Sequence, residues 1–157
     1  KIEAFKEIIA QIKKDTGVPI VKGNTKNKPP ELPYGIYNIT SPYIRGRGQG
    51  VITQFNNDTG NYEKRAEQYK FTVSLSFFAE DNETTIDHAM KVRQWFLFLG
   101  KNFITERNLA VVRVENIANR TTFIVDDYEY KHGFDVQFRA TDEQIKQITE
   151  NIETVVN

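Results

Sequence analysis

From Tyr128 to Arg139 the chain alternates almost without a break. Tyr128, Tyr130, His132, Phe134, Val136 and Phe138 fall on one side, and Glu129, Lys131, Asp135, Gln137 and Arg139 on the other. Side chains point to opposite faces along a β-strand, so this pattern predicts a strand with one face in a core and one in water. At about 3.3 Å per residue it runs roughly 40 Å, long for a domain of this size. Gly133 interrupts the polar side and marks either a bulge or a close backbone approach. The same alternation appears from Tyr69 to Phe77, with Phe71, Val73 and Leu75 set against Lys70, Thr72, Ser74 and Ser76. The two segments are natural antiparallel neighbours, because sheets with one wet face are usually antiparallel.

Helical spacing appears in three places. Ile2, Phe5, Ile8, Ile9 and Ile12 predict an amphipathic helix to about Thr16, stopped by Gly17 and Pro19. Asp81 and Asn82 supply capping side chains for a helix reaching about Leu99, with Gly100 as its C′ residue. Thr141-Asp142-Glu143-Gln144 reads as a capping box for a C-terminal helix carrying Ile145, Ile148, Ile152, Val155 and Val156. Between these lie a short edge strand at Val18–Val21, an extended Lys22–Pro33 connector and a strand at Tyr34–Ser41 ended by Pro42. A glycine-rich loop to Gly50, a short strand or ribbon at Val51–Phe55, and strands at Asn108–Glu115 and Thr122–Val125 complete the order. Glu63–Gln68 is charged and fits no one element. The reading is one α+β domain over residues 1–157, a mainly antiparallel sheet with helices packed on one face.

Trp95–Leu99 (WFLFL) is apolar nearly all round, so that part of the middle helix needs cover on more than one side. Either a terminal helix supplies it or a second subunit does, which makes Trp95 and Phe98 candidate contact residues.

Composition narrows the chemistry. Twenty-one basic residues balance twenty-one acidic ones, so no global field draws the chain to nucleic acid or an anionic membrane. The absence of cysteine excludes disulfides, thiolate metal sites and thiol nucleophiles. The run Trp95–Leu99 is too short to span a bilayer. His88 and His132 stand on a helix and on the apolar side of a strand, and neither has a catalytic companion in the sequence. Gly46-x-Gly48-x-Gly50 lacks the spacing and the following helix of a dinucleotide fingerprint. No catalytic, cofactor or metal residues are therefore assigned, and the expectation is a protein that is not an enzyme. Arg45 and Arg47 beside Tyr43 could touch a nucleic-acid backbone or a peptide, making a small binding module of the Arg45–Gly50 loop the alternative reading. Arg and Tyr also favour protein interfaces. The candidate contact groups are basic Arg45, Arg47, Lys64 and Arg65 and acidic Glu63, Asp126, Asp127 and Glu129.

Three stretches carry a family resemblance. They are Pro33-Tyr34-Gly35-Ile36-Tyr37-Asn38-Ile39-Thr40-Ser41, the long alternating strand ending Phe77-Phe78-Ala79, and Asp127-Tyr128-Glu129-Tyr130-Lys131-His132-Gly133-Phe134-Asp135-Val136. In this order and spacing, from about Val18 to Arg139, they resemble the neck and tail terminator (tail completion) proteins of tailed bacteriophages. The resemblance implies a tail-terminator-like α+β fold and a structural virion protein. It implies a homo-hexameric ring that caps the tail tube and joins it to the head or neck. The implied partners are the tail tube protein and head-completion or connector proteins, with viral DNA passing through the ring without sequence-specific binding. Assembly in the host cytoplasm, a final place in the virion, and no cofactor and no membrane follow from the same likeness.

Overall fold

Helix α1 (Ile2–Thr16) opens the computed structural model, which describes residues 2–148. Strands β1 (Ile20–Lys22), β2 (Tyr34–Arg45), β3 (Val51–Asn57) and β4 (Gly60–Ala79) follow. Helix α2 (Asn82–Gln94) passes through a π-helical turn at Trp95–Leu99 into α3 (Lys101–Thr105). Strands β5 (Ala110–Val114), β6 (Ala118–Asn119), β7 (Thr122–Ile124) and β8 (Asp127–Gln147) complete the described chain.

The sheet runs β1-β2-β4-β8-β5, with β3 also on β4 and with β6 and β7 on β8. Among the described residues only β1–β2 is parallel, so the architecture is the α+β arrangement that the sequence predicts. Its spine is the antiparallel pair of β4, 20 residues, and β8, 21 residues. They pair without a register shift from Tyr62↔Gln147 to Ala79↔Tyr130. Directly opposed residues share a face, so Phe71/Phe138, Val73/Val136 and Leu75/Phe134 stand together, all buried, as the alternation requires. Phe5 of α1 packs on Tyr37 and Phe138, and Phe96 packs on Phe134 and Phe138. The helices thus cover this one face. Burying a side chain of this size stabilises by about 1.5–3 kcal/mol, and together these residues form the core.

The opposite face is polar and has its own fastening. Arg120 lays its guanidinium across the strands, donating to Ser74 Oγ (2.8 Å), Ser76 Oγ (2.9 Å), the Leu75 carbonyl (3.1 Å) and Asp135 Oδ1 (3.1 Å). Gly133 makes room for it. A Cβ there would stand 2.2 Å from the Leu75 carbonyl oxygen and 2.8 Å from Arg120 Nη1. Of the two meanings open for Gly133, close approach is the one realised, since the ladder has no bulge at that point.

Several expectations change. Pro42 does not end β2, which runs on to Arg45. Register shifts between Ile39 and Ser41 and between Ser41 and Ile44 absorb the missing donor. Glu63–Gln68 is strand, the first half of β4. Gly100 is not a left-handed C′ residue. Its φ is −91° and the helix continues, with its N–H bonded to Trp95 O (2.7 Å) five residues back. It must be small because an added Cβ would stand 2.5 Å from the Trp95 ring.

The largest correction is at Thr141-Asp142-Glu143-Gln144, which is no capping box. Residues 141–147 extend β8, facing Gln68 to Tyr62 of β4. Edge pairing offered by β4 over its whole length outweighs a local cap, worth about 1 kcal/mol. Ile152, Val155 and Val156 of the expected helical stripe lie outside the described residues.

Candidate interaction surfaces

Among the described residues the helical layer stops beyond Tyr69 and Ala140, and the sheet continues as a bare ribbon of β3, the first half of β4 and the last part of β8. It exists because β4 and β8 are far longer than the helices that cover them. The twenty residues of β4 span about 66 Å at 3.3 Å each, whereas the thirteen of α2 span about 20 Å at 1.5 Å each. All seven residues of β3 are exposed. On one face Phe55 stacks on Tyr62 at 5.3 Å between ring centroids, and the exposed Val51 and Ile145 stand on that same face.

The glycine-rich segment is not a loop projecting from the sheet. Both β2 and β3 are antiparallel to β4 and share one edge of it, β2 ending opposite Tyr69 and β3 starting opposite Ala66. Residues 46–50 link the two in line. Gly46 presses so close to β4 that a Cβ would lie 2.4 Å from the Gln68 carbonyl oxygen, and Gly48 has φ +77°.

The structure distributes the expected charged residues unevenly. Arg45 and Arg47 are both exposed at this link. Lys64 pairs with Glu143 (3.3 Å) and Glu63 with Lys146 (3.2 Å), each across the β4–β8 ladder. Arg65 and the Tyr43 hydroxyl both donate to Glu67. Those hydrogen bonds, the Tyr43 one first, hold the Glu67 carboxyl below its ordinary range, and the bond to Glu67 pushes the Tyr43 hydroxyl up. Four of the expected contact groups (Lys64, Arg65, Glu63 and, below, Glu129) therefore already have partners in the chain.

At the far end of the spine the β7–β8 turn carries the acidic candidates. Asp126 takes φ +66° in the turn, Asp127 Oδ1 accepts from the Tyr128 backbone N–H (2.7 Å), and Glu129 pairs with Lys131 (3.1 Å). Around them stand exposed Phe123, Ile124, Val125 and Tyr128. Beneath runs an open groove lined by Pro29, Pro30, Tyr34, Phe78 and Tyr130.

A third apolar patch comes from the π turn. The wider i→i+5 winding turns consecutive residues Trp95 and Phe96 inward together and leaves Leu97, Phe98 and Leu99 outside. Phe98 is 80% exposed and remains a contact candidate. Trp95 does not, because it is fully buried against Phe96 and Phe103, with Nε1–H donating to Asp15 of α1 (2.8 Å). So α1 covers one side of the segment and leaves the other bare.

His132, 8% exposed, has its Nδ1 2.9 Å from Thr85 Oγ1. The Thr85 hydroxyl donates to the Asn82 carbonyl (2.6 Å), so the imidazole Nδ1–H is the donor. Burial lowers the pKa of His132 and of His88. Among the described residues no three His, Asp or Glu side chains gather as metal ligands, and no helix is long and apolar enough to cross a membrane.

The sequence did not single out Arg120, Phe123 or the uncharged strand Val51–Asn57 as a surface. The last had a readable signal, a run of seven residues without a charge or a proline.

A family model described as phage neck terminator protein matches residues 3–157, nearly the whole chain. No curated protein matches. The chain belongs to the phage neck terminator family, a family of structural proteins of the phage tail and neck. Its place is in the virion's tail or neck, among other tail and head proteins.

Proposed function

From that membership we propose that the chain forms a homo-hexameric ring that caps the tail tube, ends its growth and joins it to the head connector. Viral DNA passes through the ring without base-specific contacts, the ring assembles in the host cytoplasm, and the work is structural, without catalysis. A joint between two partners needs two separate contact surfaces. The observation that carries the reading is that one spine holds one at each end. The aromatic and aliphatic ribbon around Phe55 and Tyr62 lies at one end of β4–β8, and the Phe123–Tyr128 turn at the other. Rings of this kind use heterologous contacts, two different patches per subunit, and neutral net charge accommodates opposite charges on the two.

The test is sedimentation of the purified protein together with the length of tubes grown from tail tube protein in its presence. Discrete rings that shorten or cap the tubes are expected. A monomer that leaves tube growth unchanged overturns the reading, and one whose sedimentation shifts with an oligonucleotide favours the binding-module alternative.

A further inference from the structure

The ribbon has two open sides. Among the described residues the outer side of β3 (Val51–Asn57) pairs with no strand, and neither does the outer side of β8 along Asp142–Gln147. An open sheet edge is a template for another strand, and proteins usually blunt one with charges, proline or a bulge. β3 carries none of these. Its sequence VITQFNN has no charge and no proline, and it keeps register from Val51↔Ala66 to Asn57↔Gly60. Such a strand left bare is an aggregation hazard, so its edge calls for an occupant.

The geometry points to the Asp142–Gln147 edge of a second copy of this chain as that occupant, so that neighbouring ribbons join into one continuous sheet. Direction is the first argument. β3 and β8 are each antiparallel to β4 and hence parallel to one another. Rotation about a ring axis keeps the direction of strands that run along it, so with the ribbon set along the axis β3 of one copy meets β8 of the next as a parallel pair. The contact is heterologous and can close.

Charge is the second argument. Arg45 is level with Tyr69 on the β3 side of the ribbon's base, with Arg47 just beyond it. Asp142 and Glu143, opposite Glu67 and Ala66, stand near that height on the β8 side. A neighbour at equal height therefore sets Asp142, beside a Glu143 that already pairs with Lys64 in its own chain, against two guanidinium groups. Asp127 is the wrong acidic partner for this joint. It lies beyond the Ala79 end of β4, and Tyr69 to Ala79 alone spans about 33 Å at 3.3 Å per residue.

This inference rests on the ring reading above, and the chain's lack of cysteine allows a test that separates the two. Thr53, Lys64 and Ile145 form one row across the ribbon. Within a copy Thr53 and Ile145 are two strands apart, roughly 9.5 Å, beyond the reach of a disulfide. Between copies they become neighbours. Thr53→Cys is combined in turn with Glu143→Cys, Ile145→Cys and Gln147→Cys to cover two-residue slips on the same face, and each double variant is oxidised mildly. The expected result is a ladder of covalent multimers ending at the ring size for one pair, and no multimers from any single variant. Rings that form normally but give no ladder with any pair overturn the joined-edge inference and leave the ring reading standing. Dimers from a single variant overturn the heterologous arrangement. Wild-type protein that stays monomeric, with no ladder, overturns both.

Discussion

Trp95 Nε1–H donates to the Asp15 carboxylate at 2.8 Å, joining the π turn to the last turn of α1. Asp15 is exposed and also accepts from Gln11 (3.0 Å), while the Trp95 ring is wholly buried. Asp15→Ala is expected to cost about 1 kcal/mol, the low end for an orphaned donor because water can enter in place of Asp15. Trp95→Ala is expected to cost about 3–5 kcal/mol through the cavity it leaves. Urea unfolding followed by circular dichroism measures both. Equal losses would mean that the ring's packing matters less than its hydrogen bond.

A methyl group at position 133 has nowhere to go. Gly133→Ala is expected to destabilise by about 2–4 kcal/mol, because the Leu75 carbonyl it meets is backbone of the central strand. Adding Arg120→Ala should not rescue it, since removing the guanidinium relieves the lesser of the two clashes. Recovery of the melting temperature in the double variant would show that the side chain, not the strand, sets the limit.

The two histidines and the capping acid lose stability in different pH windows. Burial holds His132 and His88 below the ordinary histidine value, so the unfolded chain binds more protons near and below about pH 6.5. Their contribution is complete above that value and declines as pH falls through it toward the lower folded values. Asp81 is held below the ordinary carboxylate range by the Thr84 side chain first and then by the Thr84 backbone N–H. Its stabilisation is therefore present above about pH 4 and is lost as pH falls through its folded value. Melting temperature should fall between pH 7 and 5, and His88→Gln with His132→Asn should flatten that slope. A slope unchanged in the double variant would assign it to other groups.

Reversing the charge of Arg45 and Arg47 to Glu should weaken assembly and leave the fold intact. Exposed charges contribute about 0–1 kcal/mol to stability, whereas truncating one partner of a desolvated interface pair costs about 2–5 kcal/mol. Oligomer mass and melting curves of wild type and variant decide it. An unchanged oligomer would remove this segment from the contact, and a collapsed melting curve would place it in the core.

Phe98→Ser should change monomer stability by no more than about 0.5 kcal/mol, given its exposure. A loss of oligomer in this variant would make the π-turn patch part of an interface. A large drop in melting temperature would contradict the exposed placement.

Legibility tracked whether a segment's partners were implied by its own pattern. The alternation at Tyr69–Phe77 and Tyr128–Arg139 reports a face, and it led to the right pair. Ile2–Thr16 and the Asp81 cap are equally local and read true. Thr141–Ile148 misled because Ile145 and Ile148 suit a helix or a strand, and only Tyr62–Gln68 across the ladder decides between them. The arginine fastening was invisible, since Arg120 meets Ser74 and Ser76 from 46 and 44 positions away. Among the surface candidates, Phe98 follows from the all-round apolar run. Trp95 fails because a π turn, which no periodicity announces, brings two consecutive rings inward.

The unbroken β4–β8 ladder also fixes how the molecule bears force. A pull along the ribbon loads every backbone hydrogen bond from Tyr62↔Gln147 to Ala79↔Tyr130 in shear, all at once, and passes down two covalent strands into the helix-backed half. A push across the ribbon meets no second layer among the described residues and is resisted there by the twist of three strands. The subunit is therefore stiff in tension along its spine and compliant to bending at its bare end, like a tie rod with a flexible tip.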